Sequence, residues 1–391
     1  MAKKEQNEFE IARKKRRKKF AAQRNRKFIG ALLLLAILCT GIYFFVEEDV
    51  AGIIGDRIAS SSSAGAGFPV DISGTNVLDT FTAGEHFGVL TDAVYYLYAE
   101  NGKQLLSAQH DFANPIVESS GRRFLIYDQG GNRLFVRMRD KILFEKEFEY
   151  KIISADLSAD GMLSVVTSAQ RYASQLHVFD SDYKEEIFTW SSSDEYIVCA
   201  SADERTKTVA AAALSANEAG EIVTNIHIFT TEAAVELSEK EFKGSSVLSL
   251  EYDSDGDVKI ICDNLAATIS KDGEILGSFG YSSVPAACMN LPGTEGAAVV
   301  FDRFTEARAT DVLFLFGNFA ETKNASVSGK YICSDRSESN TAVYCSGTAF
   351  VFDNRGESTA VLESEKDAVL VEILRESLLA VTRDQLCRVE K

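Results

Sequence analysis

A strand-and-turn pattern that returns about every forty residues constrains this chain more than any other feature. Tyr95-Tyr96-Leu97-Tyr98, Leu176-His177-Val178-Phe179, Ile226-His227-Ile228-Phe229, Leu313-Phe314-Leu315-Phe316 and Ala349-Phe350-Val351-Phe352 are short apolar runs ending in an aromatic residue. Weaker copies are Leu134-Phe135-Val136-Arg137, Ala266-Ala267-Thr268-Ile269 and Leu386-Cys387-Arg388-Val389. The last residues of successive copies lie 39, 42, 50, 40, 47, 36 and 37 positions apart. Gly, Asp, Asn and Ser separate the runs, and no sustained 3.6-residue period competes with them, so the reading is strands and turns.

Each beat holds more than one strand. A second apolar run precedes the recurring one, as in His86-Phe87-Gly88-Val89-Leu90 and Met162-Leu163-Ser164-Val165-Val166. Asn101-Gly102 and Asp272-Gly273 follow it and suit tight hairpins, because both residue types reach positive φ at low cost. An all-β repeat near forty residues with several strands per beat is the signature of a propeller. Eight beats fill residues 68–391, which predicts eight blades. Seven is the alternative, because 290–345 is irregular. The last beat has room for three strands, at 368–373, 378–383 and 385–390. Residues 68–72 are expected to supply the fourth by pairing with the C-terminal blade, hiding both edges.

Upstream of the repeats the chain changes character. Residues 28–46, FIGALLLLAILCTGIYFFV, are nineteen without a charge, enough to cross a bilayer core as a helix at about 1.5 Å per residue. Residues 1–27 carry twelve Lys/Arg and three acids, including seven consecutive bases from Arg13 to Lys19. The positive-inside rule keeps this tail in the cytoplasm and sends the C-terminus out. The apolar core is too long for a cleaved signal peptide and is followed by Glu47-Glu48-Asp49, so it is read as an uncleaved type II anchor. Residues 47–67 form a juxtamembrane segment, with 50–59 a short amphipathic stretch, and a Ser/Gly linker. The domains expected are thus a 1–27 basic cytoplasmic tail, a 28–46 transmembrane helix, this linker, and a 68–391 extracytoplasmic propeller. Beyond residue 27 there are 29 bases against 55 acids, a balance that disfavours nucleic acid as a partner of the propeller.

Gly67-Phe68-Pro69-Val70 leading to Val89-Leu90-Thr91-Asp92, and the run from Leu105 through Asn114-Pro115 to Leu125-Ile126-Tyr127-Asp128, resemble an uncharacterised bacterial family. Its members are single-pass propellers of Clostridia-type Firmicutes with a domain of unknown function. More loosely the beats resemble the eight-bladed quinoprotein-like superfamily. The resemblance implies an extracytoplasmic propeller in a Gram-positive envelope, and it carries no catalytic residues.

The residues supply no reactive constellation of their own. Of the histidines His86, His110, His177 and His227, the last two fall at equivalent places in two beats, which reads as repeat structure. Asp253-Ser254-Asp255-Gly256-Asp257 opens like a calcium loop, but Asn264 stands where the bidentate Glu belongs, so a β-turn is expected. Outside the apolar stretch, Cys199, Cys262, Cys288, Cys333, Cys345 and Cys387 lack metal-ligand spacing. They are read as buried thiols, with a Cys333–Cys345 disulfide across neighbouring strands as the alternative. There is no G-x-S-x-G elbow or phosphate loop, and the single Trp190 gives no Trp-rich quinone docking motif. No catalytic, cofactor-binding or metal-binding residue and no cofactor is therefore nominated. The expectation is a binding or scaffolding module at the cell envelope that engages another protein. The alternatives are a hydrolase or redox enzyme with a composite site around the channel, or a sensor relaying to the basic tail.

Overall fold

A computed structural model of the chain describes residues 67–391, apart from 304–307, 365–366, 376 and 391. The basic tail, the 28–46 apolar segment and nearly all of the linker lie outside the described residues. Among the described residues no helix is long and apolar enough to cross a membrane.

The described residues form eight four-stranded antiparallel sheets, an eight-bladed β-propeller. Blades 1 to 7 span 77–109, 115–147, 152–192, 196–243, 247–280, 287–328 and 331–363, each with its four strands in sequence order. Blade 8 is built from Leu370–Ile373, Ser377–Val381 and Gln385–Glu390, and its fourth strand is Val70–Asp71. Val70 pairs with Leu386 and Asp71 with Gln385, so the first residues of the propeller are laced onto its last strand. All eight recurring runs of the sequence fall on the third strand of a blade. The irregular 290–345 stretch resolves into two blades rather than one. Its irregularity comes from a three-residue first strand in blade 6, Ala287–Met289, and long strands after it.

Burial follows from the ring. The second strands His86–Thr91, Leu163–Thr167, Val258–Cys262 and Ser377–Val381 are buried at every position, because each sheet packs a blade on both faces. Outer strands such as Ile275–Gly280 and Ser358–Glu363 alternate between exposed and half-buried residues, the period of a strand with one wet face. Eight hydrophobic clusters result, one between each pair of neighbouring blades. The one joining blades 8 and 1 gathers Ile72, Phe87, Tyr98, Leu379 and Leu386, with Phe68 and Val70 packed against it.

The hairpin turns differ in type from the expectation. Gly102 and Gly273 have φ of 81° and 80°, whereas Asn101 and Asp272 are absent from the positive-φ residues. The Gly102 N–H donates to the Ala99 carbonyl and the Ala99 N–H to the Lys103 carbonyl. This is a type I turn closed by a left-handed glycine, the three-residue hairpin loop, not the two-residue mirror-image turn. The extra residue appears in the ladder as a register shift between Leu97 and Tyr98.

Candidate functional site

The first strand of every blade runs along the propeller axis, and these strands bring carboxylates together. In the ladder between first and second strands, Glu118 stands opposite Leu125, Asp156 opposite Ser164, Glu251 opposite Lys259, Asp335 opposite Ala342 and Glu372 opposite Leu379. These are equivalent positions of blades 2, 3, 5, 7 and 8. Blade 4 has Ser201 there, opposite Ala210, and blade 6 has Asn290 directly after its short strand. Blade 1 has Phe81 at that level and contributes Asp79 two residues earlier on the same face. Six blades thus supply one carboxylate each. Five of them, Glu118, Asp156, Glu251, Asp335 and Glu372, line one cavity of about 1240 Å³, whose walls also include Thr80, His86, Asn290, Arg336 and the 290–295 loop, and Asp79 directly precedes the lining residue Thr80.

The carboxylates share one electrostatic environment. Burial in the channel raises Asp79 to about 6, against the pull of the Thr80 N–H. Burial also raises Asp335 to about 6, although the N–H groups of Ile373 and Arg336 oppose it. Glu118 is pushed up to about 8 by burial and then by the charges of Asp156 and Asp79. Glu118 keeps open surface, and it is part of the cavity wall. Asp156 rises to about 6 through burial, while hydrogen bonds from Ser201, Leu157 and Glu251 hold it down. Glu251 sits well above the ordinary carboxyl range, through burial and then Asp156 and Glu118, with Lys259 opposing. The same holds for Glu372 through burial and then Asp335. The Ser201 hydroxyl donates to Glu251 Oε2 at 3.2 Å, and the Ile373 N–H donates to Asp335 Oδ2 at 2.6 Å.

Among the described residues none of the six forms a salt bridge. Lys259, only 1% exposed, stands opposite Glu251 in the ladder, yet its ammonium donates to the carbonyls of Leu291 at 3.0 Å and Gly296 at 3.3 Å. Burial lowers its pKa to about 8. Carboxyls crowded around one cavity hold protons to higher pH than free ones do, and an incoming cation would release them.

The residues singled out from sequence separate into structural roles. His110 Nε2 lies 2.9 Å from the Thr91 carbonyl. His177 and His227 are repeat equivalents, each with Nδ1 facing the Glu nine residues on, Glu186 at 2.6 Å and Glu236 at 2.7 Å. Asp253 Oδ1 accepts the N–H groups of Asp255 and Asp257, and the segment forms a turn between the first two strands of blade 5. The six cysteines beyond the apolar stretch are free thiols. Cys333 pairs with Tyr344, one residue out of step with Cys345, so the two side chains leave opposite faces of the sheet. Cys333 accordingly packs between blades 7 and 8, and Cys345 between blades 6 and 7. Burial pushes the Cys288 thiol up to about 11 and Cys262 and Cys333 up to about 12, away from nucleophilic thiolates.

The channel carboxylates are what sequence reasoning missed. From Glu118 to Arg137, the last residue of the recurring run in its blade, is 19 residues, but from Ser201 to Phe229 it is 28. Unequal hairpins hide the equivalence until the ladder is known.

A protein-family model described as a family of unknown function, DUF5711, matches residues 64–277. No curated protein matches the chain. Among solved structures, the C-terminal WD40 domain of Sif2 superposes with a TM-score of 0.60 at 12% identity, covering 82% of this chain and 97% of that one. The β-propeller domain of Myceliophteria thermophila Cps50 (Swd1) gives 0.50 at 11% identity, covering 82% and 98%. BamB from Moraxella catarrhalis gives 0.48 at 10% identity, covering 81% and 99%. At these identities the likeness concerns the fold.

Proposed function

Since this chain belongs to DUF5711, a family that brings no activity with it, we propose a binding module whose central channel receives a basic group of a partner protein. The observation that carries this reading is the set of five carboxylates, from five blades, lining one cavity, with Asp79 of a sixth blade acting on Glu118 and Asp335, and no salt bridge to any of the six among the described residues. A lysine or arginine side chain entering there favours the ionised acids and displaces protons that they hold above the ordinary carboxyl range. The partner is an envelope protein, and the propeller is displayed outside the cell by the 28–46 anchor with its basic tail at the inner leaflet. That placement rests on the charge asymmetry of the sequence.

The test uses the full chain in detergent micelles and a tetralysine peptide as probe. The expected result is saturable binding, tighter at pH 8 than at pH 5.5, accompanied by proton release and lost in a Glu118→Gln/Glu251→Gln/Glu372→Gln variant. Binding that ignores both pH and these substitutions overturns the reading. In-cell crosslinking of native chain against the same variant then identifies the partner.

A second reading rests on the Asp156–Glu251 pair. Two neighbouring buried carboxyls that shift each other's titration are the parts of an acid–base couple. Turnover by the purified chain that Glu251→Gln abolishes would decide for an enzyme.

A further inference from the structure

Blades 3 and 4 provide an internal comparison on their third strands. In blade 3 His177 has Glu186 at Nδ1 and the Thr167 hydroxyl at Nε2, 3.3 Å away, and Thr189 stands opposite it in the ladder. In blade 4 His227 keeps the equivalent Nδ1 partner, Glu236. The other two positions change: Ala213 replaces the threonine of the second strand, and Glu239 stands opposite the imidazole. Into the space at Nε2 comes Glu195, from the loop between the blades, with Oε2 at 2.7 Å. A carboxylate oxygen of Glu195, one of Glu239 and an imidazole nitrogen of His227 all lie within 4.8 Å of one another.

We propose that Glu195, His227 Nε2 and Glu239 form a binding site for one divalent transition-metal ion, of the Zn²⁺ type, on blade 4. One imidazole and two carboxylates are a donor set suited to such an ion, and three protein ligands leave a position for water. The surroundings match what a ligating histidine requires. Glu236 accepts from Nδ1 and fixes the ring orientation, the carboxylate–histidine–metal arrangement. The Asn225 amide donates to Oε1 of Glu195, leaving Oε2 toward the imidazole. Trp190 lies 4.8 Å from the imidazole and 4.9 Å from Phe229, an apolar wall that limits ring rotation. His227 is 7% exposed and Glu239 is exposed, so the site opens to solvent on one side. A simple ion pair accounts for Glu186 and Glu236 in their two blades, but not for two further carboxylates, Glu195 and Glu239, gathered at the imidazole in blade 4 alone.

Co²⁺ titration of the full chain in micelles, followed by visible absorption, tests the site. The expected result is one equivalent bound, with the ligand-field spectrum of an N/O site of low coordination number, displaced by Zn²⁺. Glu239→Gln, at an exposed position that leaves folding intact, should remove that spectrum. His177→Gln in the sister blade should leave it unchanged. Glu236→Gln acts on the positioning group and should weaken affinity by about 10–100-fold. The proposal is overturned if wild type gives no saturable spectrum, if Glu239→Gln retains it, or if His177→Gln removes it equally.

Discussion

Gly88 stands directly opposite Phe81 in the first ladder of blade 1, and the phenyl ring covers it so closely that a Cβ would lie 2.1 Å from Cζ. Phe81 in turn packs 4.9 Å from Phe124 of blade 2. A missing side chain in one blade thereby makes room for the aromatic contact that joins it to the next. Gly88→Ala should cost about 1–3 kcal/mol through overpacking. Measured by denaturant unfolding, most of that loss should disappear in a Phe81→Ala background, since the two residues share one space.

Closure of the ring gives a second prediction. Ile72 is 5% exposed and packs with Leu386 and Leu379 across the junction of blades 8 and 1. Ile72→Ala should destabilise by about 2–5 kcal/mol. Deleting residues 68–72 should do more, because it also bares the ladder edge of Gln385–Glu390. Concentration-dependent light scattering of the deletion variant checks that consequence.

The channel acids set a pH dependence opposite in sign to the common case. Unfolded carboxyls titrate near 4, whereas in the folded channel Asp79, Asp156 and Asp335 titrate at about 6 and Glu118 at about 8. Between those limits the folded state binds more protons than the unfolded one, so these groups favour folding at low pH and cost stability as pH rises. Glu251→Gln/Glu372→Gln keeps the shape and removes two of the charges. Its melting temperature should exceed that of wild type by a margin that widens from pH 5 to pH 8. Parallel curves would show that these acids ionise like surface groups.

The thiols yield a fourth. With Cys333 and Cys345 on opposite faces of their sheet and the six described cysteines free, reductant should leave the melting temperature unchanged. A thiol reagent should react slowly with native chain and fast after unfolding, since burial holds these thiols protonated.

Much of this molecule was legible in the chain itself. The third strand of a propeller blade is buried along one face and half-buried along much of the other, so its apolar run recurs in every beat, from Tyr98 to Val389, and that recurrence pointed to eight blades with seven as the alternative. The equivalence of His177 and His227 was visible for the same reason, because both lie on that strand. Tertiary structure decided what the first strands do. Glu118, Asp156, Glu251, Asp335 and Glu372 are unremarkable acids in a chain with 58 Asp and Glu. They become one set only because eight strands far apart in sequence are drawn to a common axis. The meeting of Glu195 and Glu239 at His227 is likewise fixed by ladder register and by the path of a loop between blades. Local periodicity reports which face of a strand is apolar. Which polar groups converge depends on ring closure, and that is a property of all eight blades together.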